Sequence, residues 1–596
     1  MALVEPLNNT AYREPTSKTS SLLDSHFPVS DQHHGGEEEK TLESNSTPQR
    51  ISPRLESIRA PGDVKKPTLS RNQSNTTNSL RPVRSQRSYA GQDGYTCFSD
   101  EDGAEGSDGI NEPSDPEKAF EVKWDGEKDP MNPRNKGKLQ KWLIVLIIAA
   151  SSLCVTCVSS GYTSIYEQVI PLWSSSREVA TLGLSLYVVG LGLGPMFLAP
   201  LSEASQTFDD QNHRFYGRRP IYIASLIFFV IWLIPCAVAN GMATMLVSRF
   251  LDGVAGSAFL SVAGGTVGDM FSKSELSMPM MVYTASPFIG PELGPIIGGF
   301  INQYTNWRWT FYTLLIWAGV QLGLIVFFVP ETYHPVLLRA KAQKMRADTG
   351  NDKWMAPIEH MDRTIAQTIL WSCIRPFQLL FLEPMCLCLC ILSALLLGIL
   401  YLFFGAYPLV FGVNHGFTLS QTGLAFIGIL IGMIAGISTD PLWRQYREYL
   451  VRQREQQGGE PGGSEPEYRL PPTILGAILI PVSLFGFGWT TYSFLPCMVV
   501  LELTVSCRII FVYSGVFTFL VDCYPLYAAS ALAANSFARS SFAAAFPLFG
   551  VQMYSNLGYQ WATSLLAFLA LAMTPFPYLF YRFGKRLRGK SKFAQA

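Results

Sequence analysis

Three charged residues lie where charge is costly. Asp252 follows Arg249 by three residues inside the apolar stretch "SRFLDGVAGSAFL", and Glu292 lies inside "GPELGPIIGG". An ionisable side chain within an apolar span is expensive to place, and such groups mark proton relays, ion paths or counter-charges for a substrate. A three-residue step sets Arg249 and Asp252 on adjoining faces of a helix. The two either act with Glu292 as a charged group or form a static bridge. No histidine falls in an apolar run: His213, His334, His360 and His415 lie in connections, and His26, His33 and His34 near the N-terminus. A proton carrier embedded in a membrane is therefore a carboxylate here, and the candidates are Asp252, Glu292 and Glu502. Arg508 and Arg539 also fall near the middle of apolar runs. They either pair with Glu502, shape a cavity, or bind an anionic substrate.

The elements that position these residues follow from composition. The chain has 596 residues, 48% hydrophobic and 15% charged, with no net charge. That balance favours no nucleic-acid partner. Twelve apolar runs are long enough, or nearly so, to cross a hydrocarbon core: 142–164, 179–201, 219–239, 243–268, 278–300, 309–329, 384–406, 419–439, 472–492, 496–519, 529–552 and 561–581. Each needs about 20 residues. The runs are continuously apolar rather than alternating, and lipid offers the backbone no partner, so they read as helices and not a barrel. The expected class is an all-α membrane protein of twelve transmembrane helices in two six-helix halves, 141–329 and 384–583. A cytosolic connection, 330–383, joins the halves, and a basic cytosolic C-terminus, 584–596, follows them.

Lys and Arg fall on one side of these spans, in 134–141, 339–375, 444–469 and 582–592, while the other side holds little beyond Arg177 and Arg308. Both termini are then cytoplasmic. Residues 1–140, rich in Ser, Asn, Pro and charge, read as a disordered cytosolic tail, and no secretory signal peptide opens the chain. Most of the eleven cysteines lie in apolar runs, where a thiol packs as a small hydrophobe. Along 12–14 Å of helix, at roughly 1.5 Å per residue, Asp252 and Glu292 reach a similar depth from the outer surface.

"GPELGPIIGG" asks why a membrane helix should hold so many breakers. Gly290, Gly294 and Gly298 are four apart and form one narrow ridge. A ridge without side chains lets a neighbouring helix come close. Pro291 and Pro295 each remove a backbone donor. Glu292 points away from the ridge. One face packs and another carries an ionisable group.

From Trp124 to the C-terminus the chain resembles the major facilitator superfamily, and within it the fungal twelve-span drug:proton antiporters. The resemblance is carried by "WDGEKDPMNPRN", "YGRRP" (Tyr216 to Pro220), "RFLDGVAGSAFLSVAGGTVGDMF" (Arg249 to Phe271), "GPELGPIIGG", "NWRWTFY", "VPETYHPVLL" and "VDCYPLYAASALAANSFARS" (Val521 to Ser540). It implies a plasma-membrane exporter of drugs, toxins or secondary metabolites driven by protons, and a proton-coupling role for Arg249. It implies that the antiporter motif, Gly290, Pro291, Gly294, Pro295, Gly298 and Gly299, shapes its helix and seals the outer side. It also implies a cytoplasmic gate loop of Glu203, Gly217, Arg218 and Arg219, with the arginines latched onto helix ends such as Asp269. The chain departs from the pattern by inserting "ASQTFDDQNHRF" between Glu203 and Tyr216.

Aromatic residues such as Trp232, Trp317, Tyr401, Phe403, Phe404 and Tyr407 are candidates to line a cavity for planar substrates. No phosphate loop, metal-ligand spacing or nucleophile elbow is visible. The expectation is a monomeric transporter, not an enzyme, with no cofactor or metal. Its partners are a small-molecule substrate, protons and the lipid bilayer. The rival readings are a polyamine exporter of the same fold and a non-transporting membrane sensor.

Overall fold

The computed structural model describes residues 120–125, 129–203, 217–272, 275–357, 365–458, 465–492, 498–591 and 593–594. Most of the expected tail and the whole insertion after Glu203 lie outside the described residues.

Among the described residues, nineteen α-helices follow one another. The first group is α1 (Lys138–Gly161), α2 (Tyr166–Leu172), α3 (Arg177–Glu203), α4 (Arg218–Val238), α5 (Met242–Gly256), α6 (Ala258–Ser261), α7 (Ala263–Met270), α8 (Ser277–Tyr304) and α9 (Arg308–Phe328). Two helices fill the connection, α10 (His334–Thr349) and α11 (Ile365–Leu382). The second group is α12 (Pro384–Tyr407), α13 (Leu419–Ser438), α14 (Asp440–Gln456), α15 (Pro471–Trp489), α16 (Met498–Cys523), α17 (Ala528–Leu557), α18 (Tyr559–Met573) and α19 (Pro575–Arg588). Among the described residues, nine helical stretches are long and apolar enough to cross a membrane. Three further helices, α8, α16 and α17, have 28, 26 and 30 residues and stand at the fifth, tenth and eleventh expected spans. Prolines and polar residues dilute the apolar run in α8 and α17, and the first part of α16 has its side chains outside the described residues. The protein is an all-α membrane protein.

The end of the bundle that carries α10, α11 and α14 is called basal below, and the opposite end apical. Lipid is as apolar as the side chains that face it, so exposed Phe327, Ile316, Val482 and Phe568 are the natural outer surface of such a bundle. Close packing between spans uses small residues. On α8, a Cβ at Gly290 would come within 2.7 Å of the Leu153 carbonyl, and one at Gly294 within 2.8 Å of the Cys157 carbonyl. A Cβ at Gly298 would lie 3.2 Å from the Gly161 carbonyl. The ridge read from the sequence therefore lies on α1, and the matched order of both sets of residues makes α1 and α8 parallel. Pro287, Pro291 and Pro295 sit inside α8 without ending it.

Part of the segment expected as disordered tail is folded. Val122 donates its backbone N–H to Met355 (2.9 Å), and Met355 donates to Phe120 (3.1 Å). Phe120 packs edge-on against Trp354. Lys341 on α10 binds Asp125 at 2.8 Å and Asp129 at 2.6 Å. Burial works against ionisation of Asp129. Hydrogen bonds from Lys341 and from the Met131 and Asp125 amides outweigh it and hold the carboxyl below its ordinary range. Three apolar side chains at alternate positions, Phe120, Val122 and Trp124, supply the docking face that a tail-like composition conceals. At the other end α19 runs past 583 to Arg588, whose guanidinium binds Glu467 through two bonds of 3.0 and 2.9 Å.

Candidate functional site

The two helix groups meet along a seam, and small residues set its spacing. A Cβ on Gly299 of α8 would lie 2.9 Å from the Leu419 carbonyl of α13, and one on Gly423 would lie 2.6 Å from the Pro295 carbonyl. Ser420 donates its N–H to Gln303 at 2.8 Å, and Gln552 on α17 donates to Glu178 on α3 at 2.9 Å. Ser185 donates to the Ala544 carbonyl at 2.6 Å. These contacts close the apical part of the seam. At the basal end, α11 lies against both groups, with Cys373 reaching the Met196 carbonyl and Phe377 against Phe537.

Arg249, Asp252 and Glu292 are all completely buried. The Arg249 guanidinium donates to the Val158 and Ser159 carbonyls, both at 2.9 Å, and to Gly183 at 3.4 Å. It also lies over the Tyr187 and Tyr162 rings, 4.2 and 4.7 Å from their centroids. Among the described residues no ion pair joins it to Asp252, so the static bridge that sequence spacing allowed is not formed. Both Asp252 carboxylate oxygens are buried without a hydrogen-bond partner. Asp252 is surrounded by Tyr187, Cys154 and Cys236, with Arg249 close enough to act on it electrostatically.

Tyr401, expected as a cavity-lining aromatic, stands at the seam between the two groups. Its hydroxyl, on α12, pairs with Ser159 on α1 across the seam at 3.1 Å. Glu292, Arg539 and Arg249 all lie within electrostatic range of that hydroxyl. The Ser159 carbonyl accepts from Arg249, so one peptide unit of α1 links the Arg249 cage to α12. The sequence holds one weak signal for this, a tyrosine within the otherwise apolar "GILYLFF".

The basal constellation forms around Gly217, whose φ of +135° suits a glycine. The turn starts α4 and presents its first amides to Glu331, which accepts from Arg218 and Arg219 at 3.0 Å each and also from Thr332 and Tyr333. A carboxylate at a helix N-terminus answers both the orphan amides and the helix dipole. The Arg218 side chain binds Asp269 at the end of α7 at 2.6 Å and stacks over Tyr333. Arg219 instead donates to the Val326 carbonyl at 2.8 Å. Only one of the two arginines reaches the predicted acid. Glu331 lies in "VPETYHPVLL", whose residues alone do not mark it as a helix cap. His334, the next polar group, meets the Asp269 carbonyl through Nε2 at 2.9 Å. Burial lowers its pKa, with Asp269 working in the opposite sense. Glu203 lies on α3, but its side chain falls outside the described residues.

In the second group, Glu502 belongs to α16 with its side chain outside the described residues. Arg508 donates to the Leu479 carbonyl at 3.1 Å. Arg539, on α17, lies over Phe517, Phe288 and Tyr513 at 5.0, 5.7 and 5.7 Å. Cys386 and Cys390 share a face, with sulfurs 3.8 Å apart.

Comparison with known proteins gives the family of the chain. The family model described as Major Facilitator Superfamily matches residues 144–547. The efflux pump atB of Aspergillus terreus is 53% identical over 479 residues, 80% of this chain and 90% of that protein. The probable drug/proton antiporter YHK8 of Saccharomyces cerevisiae is 39% identical over 465 residues, 77% of this chain and 87% of that protein. Among solved structures, the xylose transporter XylE from E. coli, at 15% identity, gives a TM-score of 0.48 over 74% of this chain and 99% of that chain. A buried charged cluster at a seam between two helix groups, together with relatives of this identity and coverage, gives one conclusion: the chain belongs to the Major Facilitator Superfamily, a family of transporters and not of enzymes, and is related there to fungal efflux pumps and drug/proton antiporters.

Proposed function

We propose that this protein exports small hydrophobic or amphipathic molecules across the plasma membrane in exchange for protons. In this reading α8, α16 and α17 join the nine apolar stretches to make twelve spans in two six-helix halves, 141–329 and 384–583. The basal end is cytosolic, and both termini lie on that side. Its excess of Lys and Arg supports that orientation, as does the placing of α10 and α14 there. The apical closure between α8 and α13 then corresponds to an outer side sealed against leakage.

One observation carries the reading: Asp252 is sealed in a span with neither carboxylate oxygen hydrogen-bonded, beside an arginine committed to backbone carbonyls. An acid placed so is costly unless its protonation is used. A proton reaches Asp252 when the seam opens apically and leaves it when the seam opens basally. Arg249 is the fixed positive charge that favours release, and Tyr401 reports the exchange across the seam to Glu292 and the second half. Mutual exclusion between proton and cargo then makes the cycle an exchange.

The test uses purified protein in sealed vesicles loaded with a fluorescent amphipathic substrate. An imposed proton gradient should drive uphill substrate movement, a protonophore should abolish it, and Asp252→Asn should leave substrate binding while removing the gradient dependence. Wild-type flux indifferent to the gradient would overturn the reading.

A further inference from the structure

Among the described residues Arg539 is a half-buried cation without a counter-ion. It stands eleven residues into α17, roughly 16 Å along the helix axis at 1.5 Å per residue. Its Nε is buried and has no hydrogen-bond partner. Among the described residues no carboxylate lies within ion-pair distance of it, and the groups that act on it electrostatically are Tyr513, Tyr401, Cys390 and Tyr283. Every other described guanidinium deep in the bundle is satisfied by protein: Arg249 by three carbonyls, Arg508 by one, Arg218 by Asp269.

The location says what is missing. Arg539 is only half-buried despite its depth. Its ring partner Phe288 comes from α8 in the other half, so the guanidinium lies at the seam. Phe288, Tyr513 and Phe517 form a continuous stack, with centroids 4.7 Å apart for Phe288–Tyr513 and 5.9 Å for Tyr513–Phe517. One helical turn before Arg539, on the same face, Asn535 is fully buried. It donates to Ser393 at 2.8 Å, yet its Oδ1 has no partner. Two buried polar atoms on one face of α17 thus lack partners, and the Arg539 donor is the one beside the aromatic wall. Buried polar atoms without partners in a native fold ask for an occupant.

We propose that Arg539, with Phe288, Tyr513 and Phe517, is a binding subsite for the anionic group of an aromatic cargo, a carboxylate or a sulfonate on a planar ring system. This deepens the export reading and rests on it. The planar guanidinium takes the oxyanion through two parallel N–H donors, while the rings hold both the cation and the aromatic body. The N-terminal half then handles the proton and the C-terminal half the cargo's charge, with Tyr401 between them. An anion leaving as a proton enters moves positive charge inward in both steps, so an inside-negative potential drives export of such a cargo.

The probes are 2-naphthalenesulfonate, permanently charged, and its neutral partner 2-naphthalenesulfonamide. Binding is measured on purified full-length protein, and flux in vesicles with an imposed proton gradient. Wild type should bind the sulfonate at least roughly tenfold more tightly than the sulfonamide. Arg539→Gln should abolish that preference, and Arg539→Lys should keep part of it. An inside-negative potential should accelerate sulfonate flux more than sulfonamide flux. Equal binding of the two probes by wild type, no measurable sulfonate binding, or a full preference retained by Arg539→Gln would each overturn the proposal. If Arg539→Gln does not fold, the wild-type comparison and Arg539→Lys decide alone. Gradient-driven sulfonamide flux without any sulfonate preference would refute the anion subsite and leave the export reading standing. No gradient-driven flux of either probe would refute both.

Discussion

The two helix groups use the same device at their basal ends and bury it to different degrees. In the first, Arg218 at the start of α4 binds Asp269 at the end of α7, and the two side chains are 2% and 1% exposed. In the second, Arg469 just before α15 binds Asp522 near the end of α16 at 2.8 Å, and both are 30% exposed. The contrast continues inward. The first group seals Arg249, Asp252 and Glu292 completely, whereas the second presents arginines to carbonyls and rings. A shared helical plan therefore does not fix where charge is held dry. On the reading advanced above, one half keeps its acids for protons and the other keeps a cation for cargo.

The sharpest way to break this comparison is Asp252→Asn against Arg508→Gln. The first should reduce gradient-driven flux to the level of empty vesicles, and the second should leave most of it; equal losses would dissolve the division of labour. Next in size is the basal pair. Arg218→Gln strands a dry carboxylate and should lower stability by about 3–5 kcal/mol. Arg469→Gln, at a pair open to solvent, should lower it by about 0–1 kcal/mol. Thermal unfolding in detergent reads the difference directly. Gly294→Val drives a branched side chain into the α1 backbone and should lower stability by about 1–3 kcal/mol, with Gly319→Val, which meets nothing within 4 Å, as its neutral control. Tyr401→Phe removes one hydrogen bond across the seam, for about 0.5–1.5 kcal/mol, and should weaken proton coupling more than fold stability.

The smallest effect concerns pH. His334 has a pKa lowered by burial, so its neutral form is the one the fold prefers. That contribution is present above the ordinary histidine range, near about 6.5, and is lost as pH falls through the lower folded value. Stability of the basal constellation should therefore decline on acidification. In His334→Asn the decline should be shallower, as measured by melting temperature between pH 7.5 and pH 5.

Much of this was legible in the residues, for physical reasons. The spans declare themselves because lipid demands long apolar helices, and the ridge of Gly290, Gly294 and Gly298 because four-residue spacing lies on one face. The Arg218–Asp269 pair was among those the family resemblance of "YGRRP" implied. What stayed hidden depends on neighbours distant in sequence. Glu331 caps α4 from more than a hundred residues away. Tyr401 meets Ser159 across 242 residues. Arg219 turns to the Val326 carbonyl because Arg218 already occupies Asp269. The folded strip at Phe120, Val122 and Trp124 carried a period-two pattern too short to stand out from a polar tail.

The contact between α1 and α8 has a mechanical result. Two helices that touch through glycines on one side and backbone and short hydroxyl side chains on the other have few flexible tips, so they form a stiff double beam. Its α8 edge is the hinge plate against α13, and its α1 edge supplies the carbonyl sockets that hold Arg249. On the reading advanced above, separating α8 from α13 would carry those sockets along, and the arginine would move with them.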